Sequence, residues 1–165
     1  MAIDTLKRAA LFLTLCLTQV LVLNYIHLFD VATPLLYVYF VIILPRGYPR
    51  WASLLWSFAL GLSIDVFANT PGVASASMTL IALLQPYLLE LFVPRDAVED
   101  LPASAAELGK GKFTMLTVII VVVYCLSFFT LEAFNFFNWQ NWLLCVGGSA
   151  LLTIVLVLTL ENLRR

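Results

Sequence analysis

The chain has 165 residues, of which 62% are hydrophobic and 12% charged, with a formal net charge of −1. A soluble domain is about half apolar and about a quarter charged, so at a mean hydropathy of +1.00 too little polar surface remains to coat a globule, and a soluble enzyme is all but excluded. No basic block or stripe is present to neutralise phosphates, which excludes a nucleic-acid partner as well.

Six spans of about 20 residues would use about 120 positions and leave about 45 for loops and ends. The sequence fits an all-α integral membrane protein, a single transmembrane domain over 1–165 with spans at about 9–27, 31–45, 51–67, 73–93, 113–132 and 142–161. The first apolar run follows Lys7 and Arg8 and leads into Asn24-Tyr25-Ile26-His27 without a small-x-small cleavage site, so it reads as a retained span. The second opens on Thr33 before Pro34, read as a helix cap and first-turn proline, and stops at Pro45. Its 14 residues at 31–44 reach only about 21 Å against about 30 Å of hydrocarbon. A half-span or re-entrant segment is therefore the alternative to a thin complete crossing.

On the third span Ser53, Ser57, Gly61 and Asp65 recur every four residues and form one row along one face. Small residues at that spacing let another helix approach closely, and their hydroxyls can bond across the interface. Asn69-Thr70-Pro71-Gly72 is a strong turn, and Val73-Ala74-Ser75-Ala76-Ser77-Met78-Thr79 after it is almost all small or hydroxylated. The third and fourth spans are thus expected to form the closest antiparallel pair, with Pro86 bending the fourth. Asp65 is expected to accept hydrogen bonds from amides in the turn before Gly72. Packing, a ligand or proton site, and partner binding all remain open for it.

The one long connection, 94–112, sets Arg95, Lys110 and Lys112 against Asp96, Glu99, Asp100 and Glu107. Ser104-Ala105-Ala106-Glu107 has capping-box spacing, but Gly109 and Gly111 follow. The expectation is a solvated cytoplasmic linker with at most a short helix, or alternatively a contact patch. Before the last span Phe134, Phe136, Phe137, Trp139 and Trp142 crowd together. They read as an aromatic belt at headgroup level, or as a docking surface in which Phe136, Phe137 and Trp139 meet an extracytoplasmic partner.

All nine basic residues fall in alternate connections: Lys7 and Arg8; Arg46 and Arg50; Arg95, Lys110 and Lys112; Arg164 and Arg165. The positive-inside rule then puts both termini in the cytoplasm after six crossings, and favours a complete second crossing. Chemistry is sparse. Cys16, Cys125 and Cys145 lie inside spans without a C-x-x-C pair, and His27 is the single histidine, so neither a metal nor a haem set is expected and no cofactor is assigned. Three acidic residues lie in or near spans, Asp65, Glu90 and Glu132. Asp65 and Glu90 fall toward opposite faces, which disfavours an aspartyl dyad. There is no G-x-S-x-G elbow and no phosphate-cradling glycine loop, so no enzyme is expected.

Gly61-Leu62-Ser63-Ile64-Asp65-Val66-Phe67, followed by Pro71-Gly72 and the small-residue run, resembles the rod shape-determining protein MreD family over nearly the whole chain. The family signature falls on Gly61, Leu62, Asp65 and Gly72. The resemblance implies a multi-pass, non-catalytic protein of the bacterial inner membrane. It also implies a bitopic MreC-like partner, other rod-complex membrane proteins nearby, and a part in coupling MreB filaments to peptidoglycan synthesis and cell shape. The implied fold is similar to the substrate-binding subunits of vitamin transporters, and the short second span departs from a comfortable crossing. A reading from another class is a substrate-binding subunit of such a transporter, motivated by the short helices and the seam of Ser53, Ser57 and Asp65. That reading needs polar groups converging on a cavity near an outer face.

Overall fold

The computed structural model describes residues 2–25, 32–93, 103–134 and 138–164. Among the described residues five helices are long and apolar enough to cross a membrane: α1 (Ala2–Leu21, extended by a 3-10 turn over Leu23–Tyr25), α3 (Arg50–Ala68), α4 (Val73–Phe92), α6 (Lys110–Ala133) and α7 (Trp139–Arg164). Two single-turn helices complete the set, α2 (Tyr39–Ile42) and α5 (Ala105–Leu108). A helix satisfies its own backbone, which is why apolar runs in lipid take this form. The expected starts at 9, 113 and 142 move outward to Ala2, Lys110 and Trp139. Nothing at those positions breaks a helix, and basic side chains reach from helix ends toward headgroups.

The second expected span, 31–45, is corrected: its described part is not one membrane-spanning helix but a thread through the middle of the bundle. It consists of a 3-10 turn, Leu36–Val38, then α2, then irregular chain to Pro45. Tyr37 to Ile42 are each 1% exposed or less, so the other helices, not lipid, surround it. Thr33 does not cap it and Pro34 does not open a helix; their backbones are held from outside instead. The Thr33 N–H donates to Ser149 Oγ (3.0 Å) and the Leu35 N–H to Thr153 Oγ1 (3.0 Å), both on α7. Gln19 of α1 accepts from the Leu36 N–H (3.2 Å) and donates to the Pro34 carbonyl (2.9 Å). Gln85 of α4 donates to the Leu44 carbonyl (3.0 Å). Irregular backbone at membrane depth is tolerated only when protein buries it and supplies such partners.

Ring contacts pin the thread's depth. Phe40 packs edge-on to Phe12 of α1 (6.2 Å), which also meets Trp56 of α3 (5.6 Å). Arg8 lies 4.0 Å over the Tyr48 ring, so the N-terminal ends of α1 and α3 share one end of the bundle. At that end Arg50 also reaches the Tyr87 hydroxyl of α4 (3.2 Å). The C-terminal end of α7 joins through Glu161, which accepts from the Tyr39 hydroxyl (2.7 Å) and from the Ala105 N–H (2.8 Å). The expected solvated linker is therefore corrected for 103–108, where Ala103, Ala105 and Leu108 are buried. Ser104 stands at the α5 N-cap but its side chain caps nothing, and the first amide of α5, that of Ala105, goes to Glu161 instead of staying within the segment. The rest of the connection, 94–102, lies outside the described residues.

Gln19→Leu would leave the Leu36 N–H and the Pro34 carbonyl without partners at about 1–3 kcal/mol each for buried groups. Its melting temperature in non-ionic detergent should fall clearly below wild type, whereas Thr14→Val on the exposed side of α1 should melt with wild type. Equal melting of the two variants would refute the side-chain support of the thread.

Candidate functional site

The turn after α3 is built around Asp65. Asn69 closes the helix in the left-handed conformation (φ 58°), its N–H and that of Thr70 turned back to the Asp65 carbonyl. Gly72 then stands at the N-cap of α4 with φ 85°, a conformation that favours glycine. A glycine N-cap has no side chain, so the first amides of α4 lack their usual local acceptor. The Asp65 carboxylate supplies it from the preceding helix: Oδ1 accepts from the Ala74 N–H (2.8 Å) and the Thr70 hydroxyl (3.0 Å), and Oδ2 accepts from the Ser75 N–H (2.9 Å). Ala74 and Ser75 are the second and third residues of α4, where a capping side chain normally bonds. The two amides lie after Gly72, not in the turn before it where they were expected; that turn contributes the Thr70 hydroxyl. A carboxylate at a helix N-terminus also meets the positive end of the helix dipole, which together with three donors makes a charge 4% exposed tenable in the membrane.

One turn earlier, Gly61 brings the two helices together. A Cβ there would lie 2.5 Å from Ser75 Cα, 2.7 Å from Ser75 N and 2.8 Å from the Ala74 carbonyl oxygen. Backbone meets backbone, and the pair α3–α4 makes the most extensive contact in the bundle, as the small-residue row led one to expect. Ser53 and Ser57 complete the buried row. Ser57 Oγ finds no partner among the described residues, so that hydroxyl contributes smallness to the seam and not the interhelical bond expected of it. Leu62, one residue after Gly61, is 46% exposed and faces away from the seam. Gly61, Asp65 and Gly72 thus act on one joint, and Leu62 does not.

Beside this joint lies a cavity of about 680 Å³, where the C-terminal ends of α1, α3 and α6 meet the N-terminal end of α7. Its apolar walls include Tyr37, Phe128, Phe129 and Trp142, and its polar groups include Asn24, Thr70, Glu132 and Asn141. Tyr37 shares a hydroxyl–hydroxyl hydrogen bond with Tyr124 of α6, and the two rings stand edge to face at 5.7 Å. Asp65 does not line the cavity. Trp139 is 61% exposed at the mouth of α7, while Phe136 and Phe137 lie outside the described residues. Gln19, Gln85, Ser149, Thr153, Tyr39 and Glu161 were not singled out by the sequence reading. A lone amide within an apolar run, or hydroxyls at i and i+4, is the signal that would have found most of them.

Five membrane-length apolar helices around a buried thread define an all-helical, multi-pass membrane protein. No family model, curated protein or solved structure matches the chain.

Gly61→Ala should destabilise by about 1–3 kcal/mol, because its Cβ meets backbone that can yield only if the helices part. Gly147→Ala, on α7 with nothing within 4 Å of the added atom, should be neutral or better. Thermal unfolding of both in detergent checks this, and equal stability would remove Gly61 from the joint.

Proposed function

We propose that this chain is a non-catalytic component of a bacterial cell-elongation complex, of the MreD kind. In this reading it sits in the inner membrane with six crossings and both ends in the cytoplasm, and holds a bitopic MreC-like partner. That contact helps couple MreB filaments to peptidoglycan synthesis and cell shape.

The observation that carries the reading is the commitment of Asp65. Its carboxylate is occupied by Thr70, Ala74 and Ser75 of its own chain, which leaves it to position the α3–α4 turn and not to bind a ligand or carry a proton. Gly61, Asp65 and Gly72, three residues that the resemblance picks out, serve that one joint. A rigid turn presented at one end of a bundle suits a scaffold that docks another membrane protein. The topology draws support from the described basic side chains: Lys7, Arg8, Arg46, Arg50, Lys110, Lys112 and Arg164 fall at or beside the N-terminal ends of α1, α3 and α6 and the C-terminal end of α7. The Arg8–Tyr48 contact implies that the thread returns the chain to the level where α1 began. The cavity is the observation that favours a ligand-binding role, the reading of the other class, although the Ser53, Ser57 and Asp65 seam that motivated it lines no part of that space.

Two experiments test the proposal. After replacement of the three native cysteines, single cysteines at 70 and 138 should react with an impermeant reagent from outside, and those at 47 and 104 only from inside. Reaction of position 47 from outside would overturn six crossings. Affinity purification in mild detergent at matched expression should recover an MreC-like partner with wild type. Asp65→Asn, which keeps the shape and part of the bonding, should recover less. Asp65→Leu strands two amides and a hydroxyl, at about 1–3 kcal/mol for each buried group, and should recover none. Unchanged capture by Asp65→Leu, or no rod-complex protein with wild type, would overturn the scaffold role.

A further inference from the structure

The cavity beside the joint holds a charge that the packing of the bundle does not use. Among the described residues Glu132 is the one carboxylic acid of the lining, which includes no lysine, arginine or histidine, and it makes no hydrogen bond or ion pair with any described residue. The described lysines and arginines sit at the opposite ends of the helices that form the cavity. Lys110 and Lys112 lie on Glu132's own helix, five turns or more away, about 30 Å at 1.5 Å per residue. The chain's described part therefore offers this carboxylate no cationic partner.

What surrounds Glu132 has a consistent chemical preference. Tyr37, Phe129 and Trp142 line the same space, and aromatic rings attract cations through their quadrupole. Asn141 in the lining adds a side chain with a neutral carbonyl acceptor, while the Asn24 carbonyl accepts from Gln19 (3.1 Å). An anion would meet Glu132 with no positive charge to offset it. The volume of about 680 Å³ falls in the range of small-molecule sites. We propose that this cavity binds a small organic cation, an amine or guanidinium on an apolar body, with Glu132 as its counter-ion and Tyr37, Phe129 and Trp142 as its walls. This role is additional to the scaffold reading and does not rest on it.

The position of Trp142 in the wall supplies the readout. Intact protein in non-ionic detergent is titrated with 2-phenylethylamine, 2-phenylethanol and 3-phenylpropionate, which share one body and carry positive, zero and negative charge. Tryptophan fluorescence and equilibrium dialysis are followed in parallel. The amine should bind saturably, the alcohol about tenfold more weakly or worse, and the acid not at all. Glu132→Gln, which keeps the shape of the side chain, should weaken the amine about tenfold and leave the alcohol unchanged. Glu90→Gln, an exposed acid near the far end of α4, should bind like wild type. A partner's lysine would offer the same ammonium, and Nα-acetyl-lysine methylamide distinguishes that source. Tighter binding of phenylethylamine supports the free ligand, whereas tighter binding of the lysine derivative assigns the cavity to a partner chain and overturns the proposal. The proposal also fails if the acid binds as well as the amine, if Glu132→Gln binds the amine like wild type, or if neither method detects saturable amine binding.

Discussion

Every backbone N–H and carbonyl in hydrocarbon needs a partner, and the segment from Thr33 to Pro45 supplies its own only within the single turns at Leu36–Val38 and Tyr39–Ile42. It contains too few residues for a comfortable helical crossing and is bracketed by Pro34 and Pro45. The bundle answers by placing polar side chains of three helices against it: Gln19 from α1, Gln85 from α4, and Ser149 and Thr153 from α7. Those side chains are costly in lipid unless they face inward, so the need of the thread and the need of the side chains are met by the same bonds. The arrangement of α1, α4 and α7 around a common centre follows from this. Burial removes the length problem too, because a segment enclosed by protein need not match the thickness of the bilayer.

The α3–α4 joint is a second solution to the same constraint. A helix N-terminus carries unsatisfied amides, and the turn demands a positive φ where a capping serine or aspartate would otherwise stand. Gly72 meets the conformational demand and Asp65 the electrostatic one, from nine and ten residues before the amides it accepts. The bonds have the right length only because Gly61 lets the two backbones touch. Each of the three residues therefore has value through the other two, and a change in one is felt as a change in the turn. Among the described residues the hydroxyls of Ser57, Ser77 and Thr117 are buried without a partner, which marks smallness and shape, not bonding, as their contribution.

The two ends of the molecule differ in kind. At the basic end the chain ties itself together: Glu161 engages Tyr39 and Ala105, and Arg164 reaches the Tyr39 hydroxyl at 3.4 Å. There the acid is consumed by the protein's own donors. At the other end Glu132 stands beside an open cavity with aromatic walls. The contrast separates a structural carboxylate from one available to a visitor, and it is made by neighbours and not by residue type.

Composition and the apolar runs determined much by themselves: an all-helical membrane protein with, among the described residues, five helices long and apolar enough to cross a bilayer, because apolar runs in lipid have little choice but helix. The seam was legible as well, since a four-residue row of small side chains ending in a carboxylate marks one face of a helix whatever its partner. Only the tertiary structure decided the form of the second run, because Gln19, Gln85, Ser149 and Thr153 are far from it in sequence and no local pattern announces that they will take its hydrogen bonds. It also decided which amides Asp65 accepts, that Leu62 faces outward, that Glu161 ties α5 to α7 through the Ala105 amide, and that a cavity opens beside Glu132. Each of these depends on where two distant helices cross, a property of packing between elements and not of the period within one.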